Sequence, residues 1–105
     1  MPLEQLWIRR QKLLDSFPPF DRLLRGSLIT RHIKCGKPNC RCASGDGHPS
    51  LYLSSTHTGK TKLDYVPGSW EAWVSERLEN YQLAQELLKE LADINLELLR
   101  RRVKD

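Results

Sequence analysis

Leu51-Tyr52-Leu53-Ser54-Ser55-Thr56-His57-Thr58-Gly59-Lys60-Thr61-Lys62-Leu63-Asp64-Tyr65-Val66 is the stretch whose reading decides the fold. Leu51 to Ser54 reads as one strand and Lys60 to Val66 as another, the latter setting Thr61, Leu63 and Tyr65 on one face by its period of two. His57-Thr58-Gly59 is short and contains a glycine, so it predicts a tight antiparallel hairpin. Just upstream, Ser27 to Lys34 holds Leu28, Ile29, Thr30 and Ile33, the β-branched enrichment of a further strand. Gly36, Pro38, Asn39, Ser44, Gly45, Asp46, Gly47 and Pro49 lie between them and are turn residues. The economical arrangement is a three-stranded antiparallel sheet whose first two strands are joined by a long loop.

Outside this block the period lengthens. Leu3, Leu6, Trp7, Leu13, Leu14 and Phe17 recur at helical steps over residues 2–16, Pro2 suits a first turn, and Pro18-Pro19 stop the helix. Phe20 to Arg25 is expected to add a helical turn that Gly26 ends. After Pro67-Gly68, Ser69 is the expected N-cap of a helix running from Trp70 to about Arg102 with neither Gly nor Pro. Its stripe is Trp70, Val74, Arg77, Tyr81, Ala84, Leu88, Leu91 and Leu98, widened by Leu87 and Ile94. Trp70 and Trp73 are expected to pack under the sheet, and Trp7 to meet the same core. The fold class is therefore α+β in one domain: an N-terminal helical segment (1–25), a sheet with a cysteine knuckle (26–67) and a long helix (68–102).

At 1.5 Å per residue the long helix reaches roughly 50 Å and the first only about 22 Å. On that arithmetic Leu87, Leu88, Leu91, Ile94 and Leu98 stay uncovered unless a second copy or another helical protein packs on them, so a homodimer or partner interface is expected there. The alternative is that the first helix slides along the second and the sheet covers the rest.

All three cysteines fall in the loop, as Cys35, Cys40 and Cys42 with spacing C-x4-C-x-C, and His48 follows. An odd, clustered set argues against a secreted disulfide framework. Three thiolates and an imidazole instead form a tetrahedral donor set for a borderline-soft ion, so Cys35, Cys40, Cys42 and His48 are expected to hold Zn2+. His32 and His57 are weaker substitutes. The plain alternative is three reduced cysteines packed as small apolar groups. Cys35 and Arg41 also match C-x5-R, the anion cradle of cysteine phosphatases, but that cradle must open a helix, and Ala43-Ser44-Gly45-Asp46-Gly47 is poor helix material. Without paired carboxylates near the cluster or a nucleotide-binding glycine loop, the chain is not expected to be an enzyme.

Net charge is +4, unevenly spread: residues 1–68 carry eleven Lys/Arg against five Asp/Glu, and residues 69–105 six against eight. Arg25, Arg31, Lys34, Lys37, Arg41, Lys60 and Lys62 face Asp46 alone between Arg25 and Lys62. Such a split points to a polyanion, DNA or RNA, met by a basic sheet face. His32, Asn39, Tyr52 and His57 are candidates to touch or stack on bases. An acidic protein is the competing partner. No apolar run approaches the ~20 residues of a membrane span, so a cytoplasmic protein is expected.

Gly26-Ser27-Leu28-Ile29-Thr30-Arg31, Cys35-Gly36-Lys37-Pro38-Asn39-Cys40-Arg41-Cys42, His48-Pro49, Tyr52-Leu53-Ser54, Gly59-Lys60-Thr61, Tyr65-Val66-Pro67 and Asn80-Tyr81 together resemble an uncharacterised family of small bacterial and archaeal proteins, over about residues 26–99. The chain departs from the family's His-Gly-Pro-Tyr element, since Pro49 and Ser50 follow His48 directly. The resemblance carries no established activity. Members often accompany mobile genetic elements, which implies an accessory factor in a nuclease, transposase or other nucleoprotein complex. A protein–protein adaptor that dimerises through its long helix and regulates a larger partner is the competing class. Zinc is the cheapest of these expectations to check: after dialysis against a mild chelator the protein should retain about one zinc per chain, and less than about a tenth of an equivalent would remove the site.

Overall fold

The computed structural model describes residues 1–33 and 48–105, with only the backbone of Ile33 and His48. The elements are α1 (Leu3–Leu14), β1 (Ser27–Ile33), β2 (His48–His57), β3 (Lys60–Val66), one 3-10 turn (Gly68–Trp70) and α2 (Glu71–Arg100). The protein is thus α+β, with a three-stranded antiparallel sheet in the order β1-β2-β3. The cysteine knuckle lies outside the described residues. Among them, no helix is long and apolar enough to cross a membrane.

β2 is longer than its sequence suggests because both neighbours pair with it, offset from each other. β1 pairs with His48 to Ser54 and β3 with Leu51 to His57. Pro49 is tolerated because it lies at the strand's start. Thr58 (φ 50°) and Gly59 (φ 79°) both take left-handed backbone between paired His57 and Lys60. Positive φ at both central residues is what a two-residue hairpin turn requires, since its twist then matches that of the strands. At the other end of the chain's first crossing, Gly26 (φ 141°) precedes β1, and a Cβ there would lie 2.5 Å from the Ser54 carbonyl oxygen. The backbone of β2 therefore comes too close for any side chain at this position.

Residues group into two compact units, one formed by 24–78 and one by 1–23 with 79–105. Residues 71–78 of α2 belong to the first and 79–100 to the second. In the sheet unit, Val66, Val74 and Ser55 are buried, and Leu28, Leu51 and Leu53 share the sheet face of Val66. The Leu24 N–H donates to the Arg77 carbonyl (3.1 Å), tying the approach to β1 onto the start of α2. Phe20 to Arg25 does not make the expected helical turn. Residues 20–22 form a simple turn, held by Arg22 N–H to Pro19 O and by Asn80 Nδ2 donating to Arg22 O (3.0 Å). Nor is Ser69 an N-cap: it sits inside the 3-10 turn that Pro67 starts, without a side-chain cap bond.

In the helical unit, Leu6 and Leu13 of α1 pack with Leu87, Ile94 and Leu98 of α2, and Trp7, Phe17, Leu91 and Val103 close round them. Met1 O accepts from Arg101 while Arg9 meets Glu90 (2.7 Å), so α1 runs antiparallel to α2. The premise of an uncovered leucine stripe is thereby corrected. Leu87, Ile94 and Leu98 are covered from within the chain, Leu91 is half-buried, and of the five expected interface residues only Leu88 is well exposed, at 59%. The covered row runs Ala84, Leu87, Leu91, Ile94, Leu98, in steps of three and four, which rotates Leu88 off it. The chain's last turn adds the rest of the cover. Arg102 (φ 56°) lets the Arg102 N–H reach Leu99 O and the Val103 N–H reach Leu98 O (2.9 Å), folding Val103 back onto the leucines. This is a Schellman ending with its usual apolar contact, built on arginine where glycine is preferred.

Two backbone substitutions test these points. Gly26→Ala should cost about 2 kcal/mol or more in urea unfolding, since the Ser54 carbonyl must shift. Arg102→Gly should relieve the left-handed strain and raise Tm by roughly 2–4 °C, read by circular dichroism.

Candidate nucleic-acid interface

Directly paired residues of an antiparallel sheet point to the same side, so the register assigns every strand residue to a face. One face carries Leu28, Thr30, His32, Pro49, Leu51, Leu53, Ser55, His57, Lys60, Lys62, Asp64 and Val66 by this count. The other carries Ser27, Ile29, Arg31, Ser50, Tyr52, Ser54, Thr56, Thr61, Leu63 and Tyr65. The expected single basic face is therefore split. Lys60 and Lys62 lie on the first face, Arg31 on the second, and Arg25 precedes β1. Lys34, Lys37, Arg41 and Asn39, like Cys35, Cys40 and Cys42, lie outside the described residues, and of His48 only the strand position is described. No group of three or more His, Cys, Asp or Glu able to hold a metal occurs among the described residues.

At the hairpin end, Arg25, His57, Lys60 and Lys62 come together by topology. Arg25 Nη2 donates to Thr56 O (3.1 Å) and lies 3.5 Å from His57 Nδ1, while His57 Nε2 lies 3.1 Å from Ser55 Oγ. A guanidinium only donates, so in a hydrogen bond between the two His57 Nδ1 is the acceptor. The arrangement holds the Arg25 guanidinium and the His57 ring together at the sheet's end. Arg31, Lys60 and Lys62 are exposed and form no ion pair with the described residues, and Asp64 is the one acid on the three strands.

On the second face, Tyr52 and Tyr65 are directly paired and their rings meet edge to face with centroids 5.9 Å apart. Tyr65 is 63% exposed. Tyr52 was expected as a base contact; Tyr65 was not, although its pairing with Tyr52 follows from counting outward through the Thr58-Gly59 turn. The tryptophans also depart from expectation. Trp70 and Trp73 are about half exposed, 5.0 Å apart edge to face, and the Arg77 guanidinium lies 3.7 Å over the Trp73 ring. Trp70 belongs to the 3-10 turn, so the 100° step extrapolated back from α2 does not place it.

Residues 3–76 match the family DUF6788, a domain of unknown function. The chain belongs to this family. The matched segment starts well before the expected residue 26 and takes in α1, the whole sheet and the first turns of α2, ending before the remainder of that helix. No curated protein and no solved structure matches the chain.

Proposed function

We propose that this DUF6788 protein binds nucleic acid through its sheet unit, as a non-enzymatic accessory factor of a larger nucleoprotein complex. The observation that carries this reading is the set of exposed cations on and beside the strands, Arg25, Arg31, Lys60 and Lys62, against the single acid Asp64. Unpaired surface cations keep their full field for a polyanion, and each phosphate they meet releases condensed counterions. Lys34, Lys37 and Arg41 add to the same charge in sequence. Zinc held by Cys35, Cys40, Cys42 and His48, a cytoplasmic setting and a link to mobile elements or a nuclease belong to the same proposal.

Exposed Leu88 (59%) and Leu99 (58%), one side of α2 away from the covered row, favour a second reading: an adaptor that dimerises through this helix and regulates a larger partner. Sedimentation at micromolar concentration tests it, the adaptor reading requiring a dimer that Leu88→Lys with Leu99→Lys dissolves.

For the preferred reading, affinity for a mixed-sequence duplex measured between 50 and 200 mM salt should fall with a logarithmic slope of about −3, as three or four phosphate contacts imply. Lys60→Glu with Lys62→Glu should weaken binding at least about tenfold and flatten that slope by about two. No affinity for DNA or RNA at the lower salt rejects direct binding.

A further inference from the structure

Resting on the nucleic-acid reading above, we infer that the Tyr52–Tyr65 face of the sheet takes a single strand, with Tyr65 as the surface on which a base stacks. The register sets a row across all three strands, Ile29 beside Tyr52 beside Tyr65, with Leu63 one step along β3 on the same face. Tyr52 is half-buried and meets Tyr65 edge to face, which props the outer ring. Tyr65, on the edge strand and 63% exposed, presents a ring open to a ligand.

The charge on this face selects the ligand. No acid stands on it among the described residues; the acid of the strands, Asp64, belongs to the opposite face. Its cation is Arg31, paired with Ser50 and thus diagonal to Tyr52 across β1 and β2, a separation that a long side chain spans. Around them lie the hydroxyls of Ser27, Ser54, Thr56 and Thr61, which can bond to phosphate or sugar oxygens. A duplex offers this face its phosphates, and among the described residues Arg31 alone is there to meet them. An unpaired strand offers base faces to the aromatic row and leaves a phosphate for Arg31. Stacking of that kind needs no sequence preference, since every base has a π-face. Lys60, Lys62, Arg25 and His57 are not required for it, since the two lysines and the histidine project from the other side and Arg25 precedes the sheet.

The test compares a labelled oligothymidine of about 12 nucleotides with a duplex of equal length, by fluorescence anisotropy at low salt. The single strand should bind more tightly. Tyr65→Ala should weaken it about 5- to 150-fold and leave duplex binding within about twofold, while Tyr65→Phe, which keeps the ring, should stay close to the parent. Circular dichroism melting of both variants checks that the sheet is retained, and Tyr65→Leu gives a second variant if the alanine form does not fold. Two results overturn the inference. If single strand and duplex bind alike and Tyr65→Ala alters neither, the stacking face is wrong while nucleic-acid binding stands. If neither oligonucleotide binds, both readings fall and the aromatic row belongs to a protein contact.

Discussion

Register is the constraint on which the sheet and everything attached to it depend. Between β2 and β3 it is set at the Thr58-Gly59 turn, where two consecutive residues hold positive φ. For Gly59 this is free of steric cost, but Thr58 is β-branched, and such residues rarely adopt that backbone. Its hydroxyl bonds to the His57 carbonyl (2.7 Å), a local compensation. A slip of one residue would carry every β3 side chain to the other face. Tyr65 would then leave Tyr52, and Lys62 would leave the side of Ser55. Val66, the buried residue of β3, would turn outward, and its burial resists that slip by about 2 kcal/mol.

The helical unit is held by a different balance. Its ion pairs, Arg9–Glu90 (2.7 Å) and Arg10–Asp105 (2.8 Å), are largely exposed and contribute little each. The hydrogen bond from Arg10, more than its charge alone, holds the Asp105 carboxyl below the usual carboxylate range. Arg10 also lies over the Trp7 ring (4.6 Å), so its stem and head both cover apolar surface. The leucines do most of the work beneath this layer. None of the described side chains reaches complete burial, as expected where each of two small units has only a modest core.

Strand periodicity and turn chemistry made the sheet readable: β3 is bounded as the sequence predicts, β1 is a strand over its described residues, and α1 differs only at its ends. The misses have physical causes. β2 looked short because Pro49 resembles a loop residue, and a central strand's length depends on partners that local reading does not see. Helix lengths alone leave Leu87, Leu88, Leu91, Ile94 and Leu98 uncovered, because they do not show where α1 lies along α2 or that Val103 folds back onto the leucines. The split of the cations between two faces was already implicit in the pairing of His57 with Lys60, yet charge counted along the chain ignores alternation. Tyr65 was seen to share a face with Leu63, but its meeting with Tyr52 needed the turn fixed to a single residue. The cysteine loop stays a matter of sequence.

The Leu6–Leu13 face of α1 gives the family boundary an unexpected meaning. That face lies inside the segment shared with DUF6788, whereas Leu87, Ile94 and Leu98, which shield it, come after residue 76. The border thus cuts through an interior, and a piece trimmed at Glu76 would bare two leucines to water. In this chain the shelter of the opening helix comes from aliphatic side chains that lie past the shared segment.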